Sequence, residues 1–234
     1  RLHAHFPDIP VFFQEENFLQ FVLEHFDQRA DRSLFQTNSP TTYDLIIANP
    51  PYVRTQVMGS AQAQLLTEQF GLSGRVDLYY AFILGMSRVL SKNGIAGIIV
   101  SNRFMSTKSG ASVRQALFEE FNIRYAWDLG DTKLFDAAVL PAILLVEGKN
   151  EPQLEPPGFT SIYETDGSAS KLSTDAISAL SEEGVVEIAD GRCFQVQHGT
   201  LNTGGTSDGV WRIATDAVDA WLATVEENTW GTFR

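Results

Sequence analysis

The run Tyr43–Val53, YDLIIANPPYV, ends an apolar stretch on Asn49-Pro50-Pro51-Tyr52. A strand that simply turned into a surface loop would not need an amide followed by two residues without backbone donors. The Asn49 side-chain oxygen can accept a hydrogen bond. So can the Pro50 carbonyl, whose direction is restricted by the proline that follows it. Two acceptors with no competing N–H suit a ligand that carries an NH2 group, and Tyr52 offers a flat face for stacking on a ring. The chemistry this points to is amine alkylation. An exocyclic nitrogen conjugated with a ring is a poor nucleophile. Acceptors on both its hydrogens pull it towards tetrahedral geometry and expose the lone pair. Neither a strong base nor a metal is required, and His3, His5, His25 and His198 show no ligand spacing. The bland alternative is a rigid turn, which the preceding DLIIA disfavours.

Such a group works only if a strand delivers it to the edge of a sheet, where open α/β folds bind ligands. The first 148 residues alternate strand-like and helix-like runs, the pattern of βαβ units. PVFFQEEN (10–17) is expected to be a strand. FLQFVLEHFDQRA (18–30) has helical spacing at Phe18, Phe21, Val22 and Phe26. YDLIIAN is a short continuous apolar strand, as expected when both faces are covered. DLYYAFILGMSRVLSKNG (77–94) is expected to be a helix with Leu78, Phe82, Met86 and Leu90 on one face, stopped by Asn93-Gly94. IAGIIVSN (95–102) is a strand, GASVRQALFEEF (110–121) a helix, and IRYAWDLG (123–130) a strand. AVLPAILLVEG (138–148) is a strand that Pro141 assigns to an edge or a bulge.

Composition bounds the answer. With 44% hydrophobic and 20% charged residues, the 234-residue chain is expected to be globular, and its apolar runs are too short to cross a bilayer. One cysteine, Cys193, excludes an internal disulfide framework and a cysteine zinc cluster, consistent with a cytoplasmic protein. The net charge of −12 counts against nucleic acid, yet a local basic groove can sit on an acidic body. Basic residues thicken between Arg103 and Arg124, which reads as a solvated helix face. KNEPQLEPPGF, with three prolines, reads as a linker. The expected organisation is a domain over 1–148, a linker over 149–158, and a small, incomplete α+β segment over 159–234. That last part has helices at STDAISALSEE and TDAVDAWLATVEE and a flexible loop at GTLNTGGTSDG. Cys193 reads as a small core residue, and Trp211, Trp221 and Trp230 as packing for this segment.

The Asn-Pro-Pro-Tyr stretch resembles the signature of amino-group methyltransferases that use S-adenosylmethionine. It is most similar to the N6-adenine DNA methyltransferases of bacterial restriction-modification systems. The resemblance continues through GRVDLYYAFILGMSRVLSKNGIAGIIVSNRFM and ASVRQALFEEFNIRYAWDLGDTKLFDAAVLPAILLVEG, covering about Val11 to Gly148. It implies a Rossmann-like S-adenosylmethionine-dependent methyltransferase sheet with helices on both faces, here partial. It also implies S-adenosylmethionine as cofactor and double-stranded DNA as partner, with a restriction nuclease fused or separate. Asn49 and the Pro50 carbonyl would bind the target amine, with Pro51 and Tyr52 completing the motif and Tyr52 stacking on a flipped adenine. Phe135 in KLFDAAVLP would pack on the base's other face, the alternative being plain core. Extrusion costs a few kcal/mol and stacking returns ~1–3 kcal/mol per base, so two aromatic faces would roughly offset it.

The resemblance assigns EENFL to the cofactor's adenine, with Asn17 standing where an acidic residue is usual and Phe18 retained. Arg103, in the turn after the IAGIIVSN strand, is a candidate phosphate contact. Asp77 and Tyr79 read as capping and packing. The family's glycine-rich cofactor loop and ribose-binding acidic residue have no counterpart in these residues and are expected before Arg1; alone, the segment is expected to be inactive. The segment 159–234 resembles the start of a target-recognition domain. Three rivals stay open: a protein-glutamine methyltransferase, an RNA amine methyltransferase, and a non-catalytic DNA-binding specificity module.

Overall fold

The structure, a computed structural model, describes residues 10–26, 42–52, 68–70, 78–134, 139–204, 206 and 208–231, without the side chains of 216 and 217. The chain divides into two units, Arg1–Pro40 and Thr41–Arg234. In the first, helix α1 (Phe18–Phe26) buries Leu19, Val22 and Phe26, a spacing that puts them on one stripe. Asn17 starts it: its Oδ1 accepts from the Leu19 N–H at 3.0 Å and the Gln20 N–H at 3.3 Å. The strand expected over 10–17 does not form. Those residues have no sheet partner among the described residues, and Phe12 and Phe13 are 90% and 93% exposed.

Among the described residues, the second unit is built on a nine-stranded mixed sheet. Its elements are β1 (Tyr43–Ala48), α2 (Tyr79–Val89), β2 (Leu90–Ser101), α3 (Arg103–Ser106), a 3-10 turn (Lys108–Gly110) and α4 (Ala111–Glu120). They continue through β3 (Phe121–Asp128), β4 (Pro141–Gly148), β5 (Gly158–Glu164), β6 (Lys171–Ser173), α5 (Ala176–Ala179), β7 (Gly184–Ile188), β8 (Cys193–Asn202), β9 (Arg212–Ala214) and α6 (Asp216–Glu227). The strands lie in the order β1-β2-β4-β3-β5-β8-β7-β6, with β9 on β8. β1 runs parallel to β2, and β5 parallel to β3; β4 runs antiparallel between β2 and β3.

Four expectations change here. Pro141 does not mark an edge. β4 is paired on both sides, and Pro141 is its first residue, where a missing N–H costs least. The helix before β2 stops at Val89 rather than at Asn93-Gly94. Leu90 is already extended and pairs with Tyr43, while Asn93, at φ +64°, sits in the irregularity between the Tyr43–Leu90 and Leu45–Ile95 pairs. β1 is not covered on both faces. Among the described residues it is an edge strand, with Leu45 64% and Ile47 83% exposed. The loop expected over 199–209 is in part strand, because Gly199–Asn202 completes β8.

The proline-rich linker does not separate two sheets. After Lys149–Pro157, β5 hydrogen-bonds along β3 from Tyr125 to Asp128, so the later strands extend the same sheet. Its far half has its own core of Leu129, Ile162, Ala176, Ala179, Val186, Ile188, Phe194 and Val196, with Trp127 and Ile143 packed against it. Strand alternation sends Ala126, Ala142 and Leu144, all fully buried, to the opposite face. Of the tryptophans, only Trp211 is buried. It packs edge-on against Phe104 at 5.2 Å, while Trp221 and Trp230 are exposed.

The basic stretch is not uniformly solvated either. Arg103 and Lys108 are exposed and Arg124 pairs with Glu147, but Arg114 is only 3% exposed. Its guanidinium donates to the carbonyls of Phe104 (2.6 Å), Thr107 (2.9 Å) and Asp208 (3.1 and 2.6 Å). Burial lowers the pKa of this group, and the Asp208 carboxylate opposes the shift. The Trp211 backbone N–H donates to the Met105 carbonyl at 2.8 Å, so the 208–211 segment is tied directly to α3 and, through Arg114, to α4. In the full-length protein, Arg114→Met should strand three carbonyls and cost about 2–4 kcal/mol. The check is a lowered denaturation midpoint at unchanged slope.

Candidate active site

β1, β2, β3 and β5 point the same way, and β4 the opposite way. One edge of the sheet therefore gathers Asn49 after β1, Asn102 and Arg103 after β2, Asp128 at the end of β3, Pro141 at the start of β4, and Tyr163 near the end of β5. The sequence motif stands at that edge. Asn49, Pro51 and Tyr52 are exposed, while Pro50 is buried. The Tyr52 hydroxyl donates to Asn49 Oδ1 at 3.2 Å. This bond holds the amide with its oxygen as acceptor. A carbonyl oxygen has a second lone pair, so Asn49 can still take a hydrogen from an amine. Burial raises the Tyr52 phenol pKa, which keeps the hydroxyl a donor.

Arg103 opens α3 and lines a cavity of about 120 Å³ together with Ser101, Thr107, Ser109 and Tyr79. Thr107 Oγ1 donates to the Arg103 carbonyl at 2.7 Å, and Ser109 Oγ to Thr107 Oγ1 at 3.3 Å. This is a hydroxyl-lined recess beside an exposed guanidinium. Tyr79 is buried, as the packing reading expects. Phe135 and Asp77 lie outside the described residues. The two arms of the loop that carries Phe135 are described, however, and they are tied together. The Leu129 N–H donates to the Pro141 carbonyl at 3.0 Å, and the Asn102 N–H to the Leu140 carbonyl at 2.9 Å.

Sequence reasoning missed the polar group at the middle of this edge. Asp128 Oδ1 accepts from Asn102 Nδ2 at 2.8 Å, Asp128 Oδ2 accepts from the Tyr163 hydroxyl at 2.6 Å, and Asn102 Nδ2 also reaches the Tyr163 oxygen at 3.2 Å. The Gly130 N–H adds a further bond to Asp128 Oδ1 at 3.2 Å. Asn102 and Asp128 lie within the stretches that carry the resemblance, but no spacing links them, and Tyr163 has no local signal. The residues assigned to the cofactor belong to the first unit. Asn17 Oδ1 is engaged by the two N–H groups of α1, which fits a helix cap and leaves that oxygen poorly suited to accept from a cofactor amine; Phe18 is half-buried.

A family model described as Eco57I restriction-modification methylase matches residues 8–135. The chain is 40% identical over 200 residues to the type II methyltransferase M.BanIII of Aneurinibacillus aneurinilyticus, covering 82% of this chain and 34% of that protein. It is 32% identical over 127 residues to the type II methyltransferase M.BstVI of Geobacillus stearothermophilus, covering 52% and 23%. The chain thus spans about a third or less of these relatives' length. Among solved structures it is similar to the type I restriction-modification methyltransferase subunit from Streptococcus thermophilus. That likeness has a TM-score of 0.39 at 22% identity and covers 56% of this chain and 28% of that one. No helix among the described residues is long and apolar enough to cross a membrane.

Protonation sets the polarity of the edge network. Burial, and then the Asp128 carboxylate, push the Tyr163 phenol well above its ordinary value. Tyr163 therefore stays a donor wherever Asp128 is ionised. A raised folded pKa contributes stability that is fully present below the unfolded phenol's value, about 10, and is lost as the pH rises beyond it. Comparing the unfolding free energies of wild type and Tyr163→Phe should give a constant difference at neutral pH. Above pH ~10 the wild type should lose its advantage.

Proposed function

Since the chain belongs to the Eco57I restriction-modification methylase family, we propose that the whole protein methylates the N6 amino group of adenine at a specific sequence in duplex DNA. The base is rotated out of the helix to reach the site. The observation that carries this reading is Asn49, exposed at the carboxyl end of β1 with its oxygen oriented by Tyr52. Asn49 Oδ1 accepts from one hydrogen of the target amine and the Pro50 carbonyl from the other. Together they draw the nitrogen out of conjugation with the ring. S-adenosylmethionine, when bound, supplies a methyl carbon on a positively charged sulfur. As the C–N bond forms, the bond from that carbon to sulfur would break to leave a neutral thioether, and the proton shed by the nitrogen would pass by way of Asn49 Oδ1 or the Pro50 carbonyl to water. Tyr52 stacks on one face of the extruded base and Phe135 on the other.

Arg103 and the hydroxyl recess beside it are proposed to hold a backbone phosphate of the DNA. An isolated basic contact of this kind serves a chain with net charge −12, because screening confines the body's charge to about 10 Å at ordinary salt. The segment from β5 to α6 is proposed to begin the sequence-recognising part. The strands and helices that follow Gly148 favour DNA over a protein glutamine amide, which needs no sequence-recognising part.

Asn49→Ala in the full-length protein should lower methyl transfer to unmethylated plasmid DNA by roughly 10²–10³-fold, with cofactor affinity nearly unchanged. Wild-type rates would remove Asn49 from the chemistry. Arg103→Ala should weaken DNA binding uniformly across sequences and reduce the slope of log affinity against log salt by about 1. An unchanged slope would exclude the phosphate contact.

A further inference from the structure

The near arm of the loop that carries Phe135 is held from outside the first 148 residues. The Tyr163 hydroxyl bonds Asp128 at 2.6 Å, the Glu164 N–H bonds Asp131 Oδ1 at 2.8 Å, and Arg192 Nη1 bonds the Thr132 carbonyl at 3.0 Å. All three donors follow the proline-rich linker. Between these anchors Gly130 adopts φ +46° directly against β5. A Cβ there would run into the Ile162 carbonyl and meet the Tyr163 ring at 2.8–2.9 Å. The fit is close enough that the arm cannot shift unless β5 shifts. The far arm is held by the Asn102 N–H on the Leu140 carbonyl, and the Asn102 side chain belongs to the same network as Tyr163.

We infer that Tyr163, acting through Asp128 and Asn102, is a positioning residue for the methylation reaction: it fixes the arm 129–134 after β3 at the sheet edge that also carries Asn49, the edge at which the extruded base is proposed to be met. Tyr163 itself touches neither the amine nor the methyl donor. Its ring packs against Gly130 and its hydroxyl sets the Asp128 carboxylate, which in turn accepts from both Asn102 and the Gly130 N–H. A strand assigned to recognition thereby also shapes the base-binding side. This inference rests on the methylation reading above.

Tyr163→Phe separates the two roles of the side chain. It keeps the ring over Gly130 and removes only the hydroxyl. With full-length protein, tritiated S-adenosylmethionine and unmethylated plasmid DNA, kcat should fall about tenfold while KM for DNA stays within about twofold. Asp128→Asn should fall similarly. The double variant should be no worse than the poorer single one, because both break the same unit. A purely structural role would show in the unfolding midpoint alone and leave kcat at low temperature intact. Wild-type kcat in Tyr163→Phe, or additive losses in the double variant, would overturn the inference. Asn49→Ala run beside them keeps the readings apart. If it is inactive while Tyr163→Phe is normal, only the positioning role fails. If Asn49→Ala is itself active, the methylation reading fails first.

Discussion

The antiparallel insertion of β4 between β2 and β3 is the constraint on which the edge depends. A purely parallel sheet would bring only carboxyl ends, and the loops after them, to one side. Here β4 starts where β2 and β3 finish, so both described ends of the connection from Asp128 to Pro141 lie at that edge. Its two arms close on each other through Leu129–Pro141, and the far arm is tied to the end of β2 through Leu140–Asn102. Because β4 is paired along both sides and its Ala142, Leu144 and Val146 are fully buried, the start of β4 cannot drift. The position of the loop relative to Asn49 is then set by the ladders between β1, β2, β4 and β3. Strand register, rather than loop contacts, positions the edge.

Much of this was legible in the residues. The central strands announced themselves as short apolar runs, and the Asn-Pro-Pro-Tyr motif marked one strand end by the rarity of its chemistry. The failures have physical causes. PVFFQEEN has the composition of a strand, but a strand needs a partner, and none of the described residues supplies one. Asn93-Gly94 carries the residues of a helix stop. They serve equally at a left-handed position in a strand irregularity, which is where Asn93 sits. Pro141 was judged by what it cannot donate, without regard to its place at the first residue, where nothing asks for a donor. Leu45 and Ile47 are apolar yet exposed, because apolarity records what a strand is suited to pack against rather than what is beside it here.

The polar network was illegible for a different reason. Asn102, Asp128 and Tyr163 are 26, 35 and 61 residues apart in pairs, and no periodicity links them. Their meeting depends on β5 choosing β3 as its parallel neighbour after a linker that composition alone reads as a boundary. Arg114 is the same lesson at shorter range. Inside a run of basic residues it resembles its exposed neighbours. Only the fold reveals that it is buried against three carbonyls, one of them 94 residues away.

The continuity of the sheet bears on how such a protein could bind. A proline-rich connection usually separates parts that move independently. Here the ladder from β3 to β5, the Arg114–Asp208 bonds and the Trp211–Phe104 contact span that connection, and they do so in three places. Rotating a base out of a duplex consumes a few kcal/mol of whatever binding supplies. Ordering a hinged segment on DNA would consume more from the same source, because each immobilised side chain and loop carries its own entropic cost. On the proposed reading, joining the segment after Gly158 to the edge that carries Asn49 during folding would remove that second cost from the binding step. A rigid junction would therefore leave more of the DNA contact energy for the proposed extrusion of the base, and a sheet that runs unbroken through its linker is a direct way to build one.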